Sequence, residues 1–565
     1  MKFRFAELVH LGRNALRVLH AFSQAPFIAF RHFGTGLRQE VPQESIEWAF
    51  RLVPLRLCTA NFMTIGTPGS GKTTLIRLFL QSLLHRFRRC TDPARPVQRA
   101  IIYDAKLDML PLLDGIYRSD GLSPVERPEI VVANAFDARC MGWNIAKDIS
   151  SPEDVRYLVA TLLPRDENAD SPFWSVAAQD VTRAVVLSLV LRKAPDWSLR
   201  DVIIICRSAR LIRQATWDCP EAWSIAASYL NDTKHFTGVL STLSTKLGRY
   251  EEIAAIWHNL PVRRRFSVTE WFHGGGILLL GSHPKFNDSL APLNAVMLKL
   301  AVDQLLAGPE TALPSTWFVL DEFRWLGKAP TVQQLLNQGR SKGASVVLGV
   351  QDVSGLISVY EDHVTNEIMN QCAHKVFMRV GAATAHWAED HFGEYQMTLN
   401  LTSGSESMDH EGHLSTSESW GEHIHVAPHY RASTFTSLPL AGPLTGCISF
   451  VADSPWSGHE HIQLAWVDVE QRLIAPGPEI NFLPHPSVDI TRLAPWSQEV
   501  DLKRLNLNMP PKPAAPESEN REKPAKPEKP PGNTGAAAEG PANQPPPDVE
   551  LPSPDQLQLP DLFRD

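Results

Sequence analysis

The sequence is poor in paired cysteines, in positive charge and, near its start, in long hydrophobic runs. Its seven cysteines (Cys58, Cys90, Cys140, Cys206, Cys219, Cys372, Cys447) are scattered, odd in number and never spaced as C-x-x-C. That pattern excludes a disulfide framework and a zinc ribbon, and it fits a reducing cytosol. A net charge of −8 excludes a global nucleic-acid signature, so any basic surface is local. The longest apolar stretch near the N-terminus, Val18 to Phe30, is interrupted by His20, Ser23, Gln24 and Pro26 and bracketed by Arg17 and Arg31. It falls short of the roughly 20 apolar residues needed to cross a bilayer. Met1-Lys2-Phe3-Arg4-Phe5 leads into no signal-peptide core. The expectation is a cytoplasmic chain without a transmembrane helix, soluble or peripheral.

What is present is a phosphate cradle. Gly66-Thr67-Pro68-Gly69-Ser70-Gly71-Lys72-Thr73, with a second threonine at Thr74, follows the short apolar run Asn61 to Ile65. It precedes an apolar helical pattern that begins at Leu75. Strand, glycine-rich turn and helix is the context in which GxxxxGK[ST] binds a nucleoside triphosphate such as ATP. Successive backbone N–H groups turn inward, and the helix N-terminus adds partial positive charge. Lys72 is expected to reach the β- and γ-phosphates, and the Thr73 hydroxyl to sit on Mg²⁺.

At 565 residues, with 43% hydrophobic side chains, the chain is long enough for two or three domains. Residues 1–50 open with a basic amphipathic segment. Over residues 1–35 it reads as a helix packed on the body, or as one lying on an anionic membrane. Residues 51–144 read as strand, helix and strand, including Ala100 to Asp104, followed by Lys106 and Asp108, and Ile130 to Ala133. Continuous apolar runs of this kind suit parallel strands covered on both faces. Residues 145–262 carry helix periodicity throughout and read as an inserted all-α domain. Strands resume over 263–508 at Gly276 to Gly281, Trp317 to Leu320, Ala344 to Val350 and Lys375 to Val380. The stretch 399–422, rich in Ser, Gly, Glu and His, reads as a mobile loop, with strand-like runs beyond it. Residues 509–565 collapse into Pro, Ala, Lys and Glu and are expected to be a disordered tail. Leu557, Leu559, Leu562 and Phe563 at its end form a docking motif or serve nothing.

Polar residues at strand ends converge on one crevice in an open α/β sheet. Asp321-Glu322 after an apolar strand is the natural partner of the cradle, although alone it equally describes a solvated turn. Asp321 would hold Mg²⁺ through water, and Glu322 would activate the water that attacks the γ-phosphate. Gln351, at the next strand end, senses the γ-phosphate or caps its strand. Arg340 is a finger for a neighbouring subunit's nucleotide, or an exposed helix-end arginine. Arg324, Lys328 and Lys342 contact phosphates or sit in surface ion pairs. His410, His413, His423, His425, His429, His459 and His461 crowd the C-terminal third without a metal-ligand spacing and read best as polar loop residues.

Taken in order, these motifs resemble the TraD/TraG type IV coupling proteins. The resemblance rests on Gly66 to Thr74, on Tyr103-Asp104-Ala105-Lys106, and on Asn134 to Arg139 with Gly142-Trp143-Asn144. It continues through Pro172-Phe173-Trp174, Leu320-Asp321-Glu322-Phe323 with Leu326-Gly327, and Gly339-Arg340 followed by Gly349-Val350-Gln351. It covers roughly residues 50–455, and its specificity lies in the ordered set. It implies an α/β fold with a RecA-like P-loop NTPase core, a mostly parallel sheet and the helical insertion. It also implies a homo-hexameric ring, ATP and Mg²⁺, DNA or a relaxase-bound nucleoprotein as cargo, and secretion channel components at the inner membrane. There are two departures. The family's Asp-Pro-Lys-Gly-Glu stands here as Asp104-Ala105-Lys106-Leu107-Asp108, and the membrane-spanning helices that open most members are not seen. The leading expectation is an ATP-driven motor. A nucleotide-switched recruitment platform with little hydrolysis and a related DNA-processing ring ATPase are the alternatives.

Overall fold

Alternation inside the apolar runs decides how the sheet is covered. In a computed structural model, which describes residues 44–89, 97–166, 172–231, 233–327, 330–408, 414–486 and 492–508, successive strand residues point into two different hydrophobic cores. Ile101, Phe318, Leu320 and Leu348 face one core, while Ala100, Ile102, Trp317 and Val347 face the other. Side chains alternate across a strand with period two, so a run without polar residues must be buried on both sides. Each fully buried Leu, Ile or Phe contributes about 1.5–3 kcal/mol.

The strands are β1 (Ser45–Trp48), β2 (Arg51–Pro54), β3 (Phe62–Ile65), β4 (Arg99–Asp104), β5 (Ile130–Val132), β6 (Gly142–Trp143), β7 (Arg265–Phe266) and β8 (Gly276–Gly281). They continue with β9 (Thr316–Leu320), β10 (Ala344–Val350), β11 (His374–Phe377), β12 (Glu394–Met408), β13 (Leu414–Pro428), β14 (Cys447–Ser454) and β15 (Gly458–Ala465). Nine of them form one sheet in the order β15-β14-β11-β3-β10-β9-β4-β8-β5. From β11 to β5 every pairing is parallel, and β14 and β15 add an antiparallel edge. Register aligns the strand ends: Val350 and Phe377 both lie opposite Ile65, and Tyr103 and Leu348 both lie opposite Leu320. The residues that follow these strands therefore share one edge.

The helix Lys72–Leu84 covers one face through Leu75, Ile76, Phe79 and Leu83. Phe79 stacks edge-on against Trp48 at 5.7 Å and Trp317 at 5.8 Å. Between β5 and β8, the described residues of 145–262 are built mainly from helices, with Phe173–Leu191 among the longest. That helix and Asn287–Ala307 are long and apolar enough to cross a membrane by length and composition, yet 67% and 61% of their apolar windows are buried inside the fold. Buried surroundings account for their hydrophobicity. Ser151 and Asp154 close a reciprocal capping box on the helix Pro152–Leu162, with Asp154 N donating to Ser151 Oγ at 3.1 Å and Ser151 N to Asp154 Oδ2 at 2.9 Å.

Within the stretch 399–422 the described residues, 399–408 and 414–422, are strand and not loop. β12 and β13 pair antiparallel over fifteen positions, from Glu394 opposite Pro428 to Met408 opposite Leu414. Hydroxyls bridge the strands, Ser403 to Ser419 at 2.7 Å and Ser405 to Ser417 at 3.2 Å. A ribbon exposed on both faces buries no side, so it leaves no hydrophobic period to read, and its Ser and Thr content mimics a loop. The strand-like runs beyond it join the main sheet, Val451 lying opposite Phe377. Residues 474–508 then run back across the body. Ala138 N donates to Leu483 O at 2.7 Å, and Arg200 and Arg504 share the carboxylates of Asp201 and Asp501 at 2.7–3.0 Å. Segment 1–35, Lys328, His410, His413 and the tail beyond 508 lie outside the described residues.

Candidate active site

The cradle takes its shape from two left-handed glycines, Gly69 at φ 77° and Gly71 at φ 110°. L side chains are disfavoured there, and at Gly71 a Cβ would also press on Ile448 and Ala441. Backbone from the C-terminal half braces the turn. Thr67 N donates to Arg379 O at 2.8 Å, and Ala441 N donates to Gly69 O at 2.9 Å. The helix begins at Lys72, so Thr73 and Thr74 occupy its first turn, and the N–H groups there have no intrahelical partner. Gly66, Thr67, Pro68, Gly69, Ser70 and Gly71 thus form a backbone concavity at a helix N-terminus, the geometry of an anion site.

Lys72 is 5% exposed, and its ammonium donates to Gly66 O at 2.5 Å and lies 3.8 Å from Glu322 Oε1. Burial pulls this lysine below its ordinary range, while the carboxylates of Glu322 and Asp321 oppose that shift. Asp321 and Glu322 follow β9 directly and are both buried. Glu322 adopts φ 58°, ψ 43°, a left-handed backbone that costs a glutamate about 1–3 kcal/mol and turns its side chain toward the cradle. Gln351, just past β10, donates from Nε2 to Glu322 Oε1 at 3.0 Å. A Cβ on Gly349 would run into Asp321 Oδ1, so that glycine makes the space the acid occupies. Asp321 Oδ1 and Glu322 Oε2 are buried without a hydrogen-bond partner. Such atoms need a cation, a water or a donor, so the set fits a metal–triphosphate group.

Sequence reading assigned no role to Lys106, and the fold brings it into the site. Its ammonium donates to Thr73 Oγ1 at 2.7 Å and lies 3.3 Å from Asp321 Oδ2. The signal was its place two residues past a strand end, without the strand order that makes β4 and β9 neighbours. Leu107 beside it sits at φ 60°, where the related motif carries glycine.

Asp104, 6% exposed, accepts from Asp108 N at 3.1 Å and Met109 N at 3.2 Å. Burial, helped by Asp108, outweighs those donors and lifts its carboxyl to about 6. The folded chain therefore keeps this proton at pH values where the unfolded chain, near 3.8, has lost it. Stability from this group grows as pH falls through about 6 and levels off near 3.8. Asp104→Asn is expected to flatten the melting temperature over that window; a profile that tracks the wild type would refute the assignment.

The remaining candidates lie elsewhere. Arg340 opens a short helical turn before β10, at the opposite end of the sheet, beside a cavity of about 610 Å³ shared with Arg56 and Lys342. Lys342 donates to Gly308 O at 3.0 Å. Arg324 lies over the Trp325 ring, 4.0 Å from Asp352. Among the described residues no three His, Cys, Asp or Glu converge as a metal group, and His461 instead bonds Ser449 at 2.9 Å.

Fold and site together define a RecA-like P-loop protein, with the cradle at the end of the interior strand β3 and an acid pair two strands away, after β9. The family model described as the type IV secretion-system coupling protein DNA-binding domain matches residues 52–448, and the chain belongs to the type IV coupling proteins of the TraD/TraG family. Coupling protein TraD of Escherichia coli (strain K12) is 24% identical over 328 residues, which is 56% of this chain. The chain spans only 41% of that relative's length. The bacterial conjugative coupling protein TrwBdeltaN70 in its unbound monoclinic form superposes with a TM-score of 0.57 at 16% identity, covering 79% of this chain and 92% of that one. TrwB in complex with ADP and Mg²⁺ gives a TM-score of 0.55 at 16% identity, covering 78% and 92%. At these identities the two structures speak for the fold.

Proposed function

We propose that this chain is an ATP-hydrolysing coupling protein that moves DNA or a relaxase-bound nucleoprotein toward a type IV secretion channel, working at the cytoplasmic face of the inner membrane. The observation that carries the reading is the meeting of Lys72, Glu322 and Gln351, with Glu322 Oε1 within 3.8 Å of the lysine and 3.0 Å of the glutamine. Thr73 and Asp321 would hold Mg²⁺, which supplies positive charge against the triphosphate. Lys72 exchanges its bond to Gly66 O for the β- and γ-phosphates. Glu322 takes a proton from water as that water attacks the γ-phosphorus, and the bond from the γ-phosphorus to the bridging oxygen breaks. Gln351, already on Glu322, orients the base. ADP and phosphate leave.

A ring completes this site. β10 runs seven residues from the Arg340 end to the Gln351 end, roughly 23 Å at strand rise, so Arg340 cannot reach the cradle of its own chain. It is suited to the nucleotide of a neighbouring copy in a homo-hexamer. The test is ATPase rate against protein concentration, with and without single-stranded and duplex DNA, at low and high salt. The rate per chain should rise with concentration and with DNA, and the DNA effect should fade steeply as salt rises. Tight ATP binding with negligible turnover would instead assign the recruitment platform.

A further inference from the structure

One ammonium group in the site has a placement that the proposed hydrolysis does not use. Lys106 Nζ binds the two oxygens that the nucleotide reading gives to Mg²⁺, Thr73 Oγ1 at 2.7 Å and Asp321 Oδ2 at 3.3 Å. A Mg²⁺ ion bound to Thr73 Oγ1 directly and to Asp321 through water would need the space this ammonium fills, and like charges that close repel. We propose that Lys106 is a positioning residue that competes with Mg²⁺ for Thr73 and Asp321, so that its ammonium must swing away before the metal can enter. This rests on the nucleotide reading of the site.

The surroundings suit an exchangeable cation. Asp321 is 7% exposed at its side chain while Lys106 is 43% exposed, so the carboxylate is fixed and the lysine stem is free to turn. A half-exposed ion pair is weak, so a divalent ion can displace it. The base of the stem is held instead. Asp104 caps the N–H groups of Asp108 and Met109, and Leu107 turns the chain through φ 60°. Lys106 is thereby presented from a rigid turn on a flexible tether. Asp108, with a buried Oδ1 lacking a hydrogen-bond partner, offers a carboxylate on the same turn to receive the ammonium when it leaves.

The experiment titrates MgCl₂ into the full chain with a fluorescent methylanthraniloyl ADP, reading bound nucleotide rather than turnover. In Lys106→Met the Mg²⁺ needed for half-maximal binding should fall about two- to fivefold, the fold-change for losing a weak, half-exposed ion pair. Lys106→Arg, which keeps a cation, should return the requirement toward the wild type. Lys106→Gln gives the same reading as the methionine variant if that one does not fold. A Mg²⁺ requirement that is unchanged or higher in the neutral variants overturns the proposal alone, as does wild-type binding indifferent to Mg²⁺. A wild-type chain that binds no nucleotide at any Mg²⁺ level overturns the nucleotide reading and this proposal together.

Discussion

Lys72→Ala is expected to lower ATP turnover about 10²–10³-fold, the range seen when one preorganised group aimed at developing charge is removed. The size of the effect follows from where the lysine sits. Its side chain is 5% exposed, so water screens the charge little. Its present partners, Gly66 O at 2.5 Å and Glu322 at 3.8 Å, are on the site's own walls, so the charge is already aimed at the phosphate position. Lys106, the other lysine described at the site, lies on Thr73 and Asp321 rather than on Gly66 and Glu322. The helix Lys72–Leu84 keeps its buried face of Leu75, Ile76 and Phe79, so circular dichroism and melting should stay close to the wild type. Steady-state phosphate release checks the first expectation. Turnover within a few-fold of the wild type in a folded variant would remove the hydrolysis reading.

Glu322→Gln should do comparable damage by a different route, separating binding from chemistry. The substitution preserves volume and the contact to Gln351 while removing the proton acceptor. A general base is worth about 10²–10⁴ in rate, so single-turnover hydrolysis should fall by that factor. Nucleotide affinity should hold or improve, because Lys72 loses a competing carboxylate 3.8 Å away and gains freedom for the phosphate. The left-handed backbone at Glu322 is set by the turn between β9 and Phe323, and a glutamine bears it as the glutamate does. Filter binding alongside a rapid-quench assay reads both quantities. Loss of affinity equal to the loss of rate would mark Glu322 as a structural residue.

Most of the candidate site was legible because it is local. Gly69, Gly71 and Lys72 are set within a few residues of one another, and their backbone angles are dictated by the turn they make. Asp321 and Glu322 were visible as a polar pair after an apolar strand. The hairpin of β12 and β13 was not visible, since a ribbon with two solvated faces carries no alternation between apolar and polar residues. Leu107 illustrates a third case. The related motif has glycine there, and only the observed φ of 60° shows that this chain makes a left-handed turn with a bulkier residue. Such a residue costs about 1–2 kcal/mol, and the turn is held by the bonds that Asp104 accepts from Asp108 N and Met109 N.

What the sequence by itself determined is the set of local devices: a glycine turn at a helix start, acids and amides at strand ends, apolar strands covered on both faces, and a helical stretch between them. Each follows from backbone geometry and side-chain period over about ten residues. Tertiary structure alone decided which strand ends are neighbours. β3 lies between β10 and β11, and β9 lies between β10 and β4; that order places Gln351 on Glu322 and Lys106 on Thr73 and Asp321. Strand order is settled by how the whole sheet buries both its faces, a free energy summed over segments far apart in the chain.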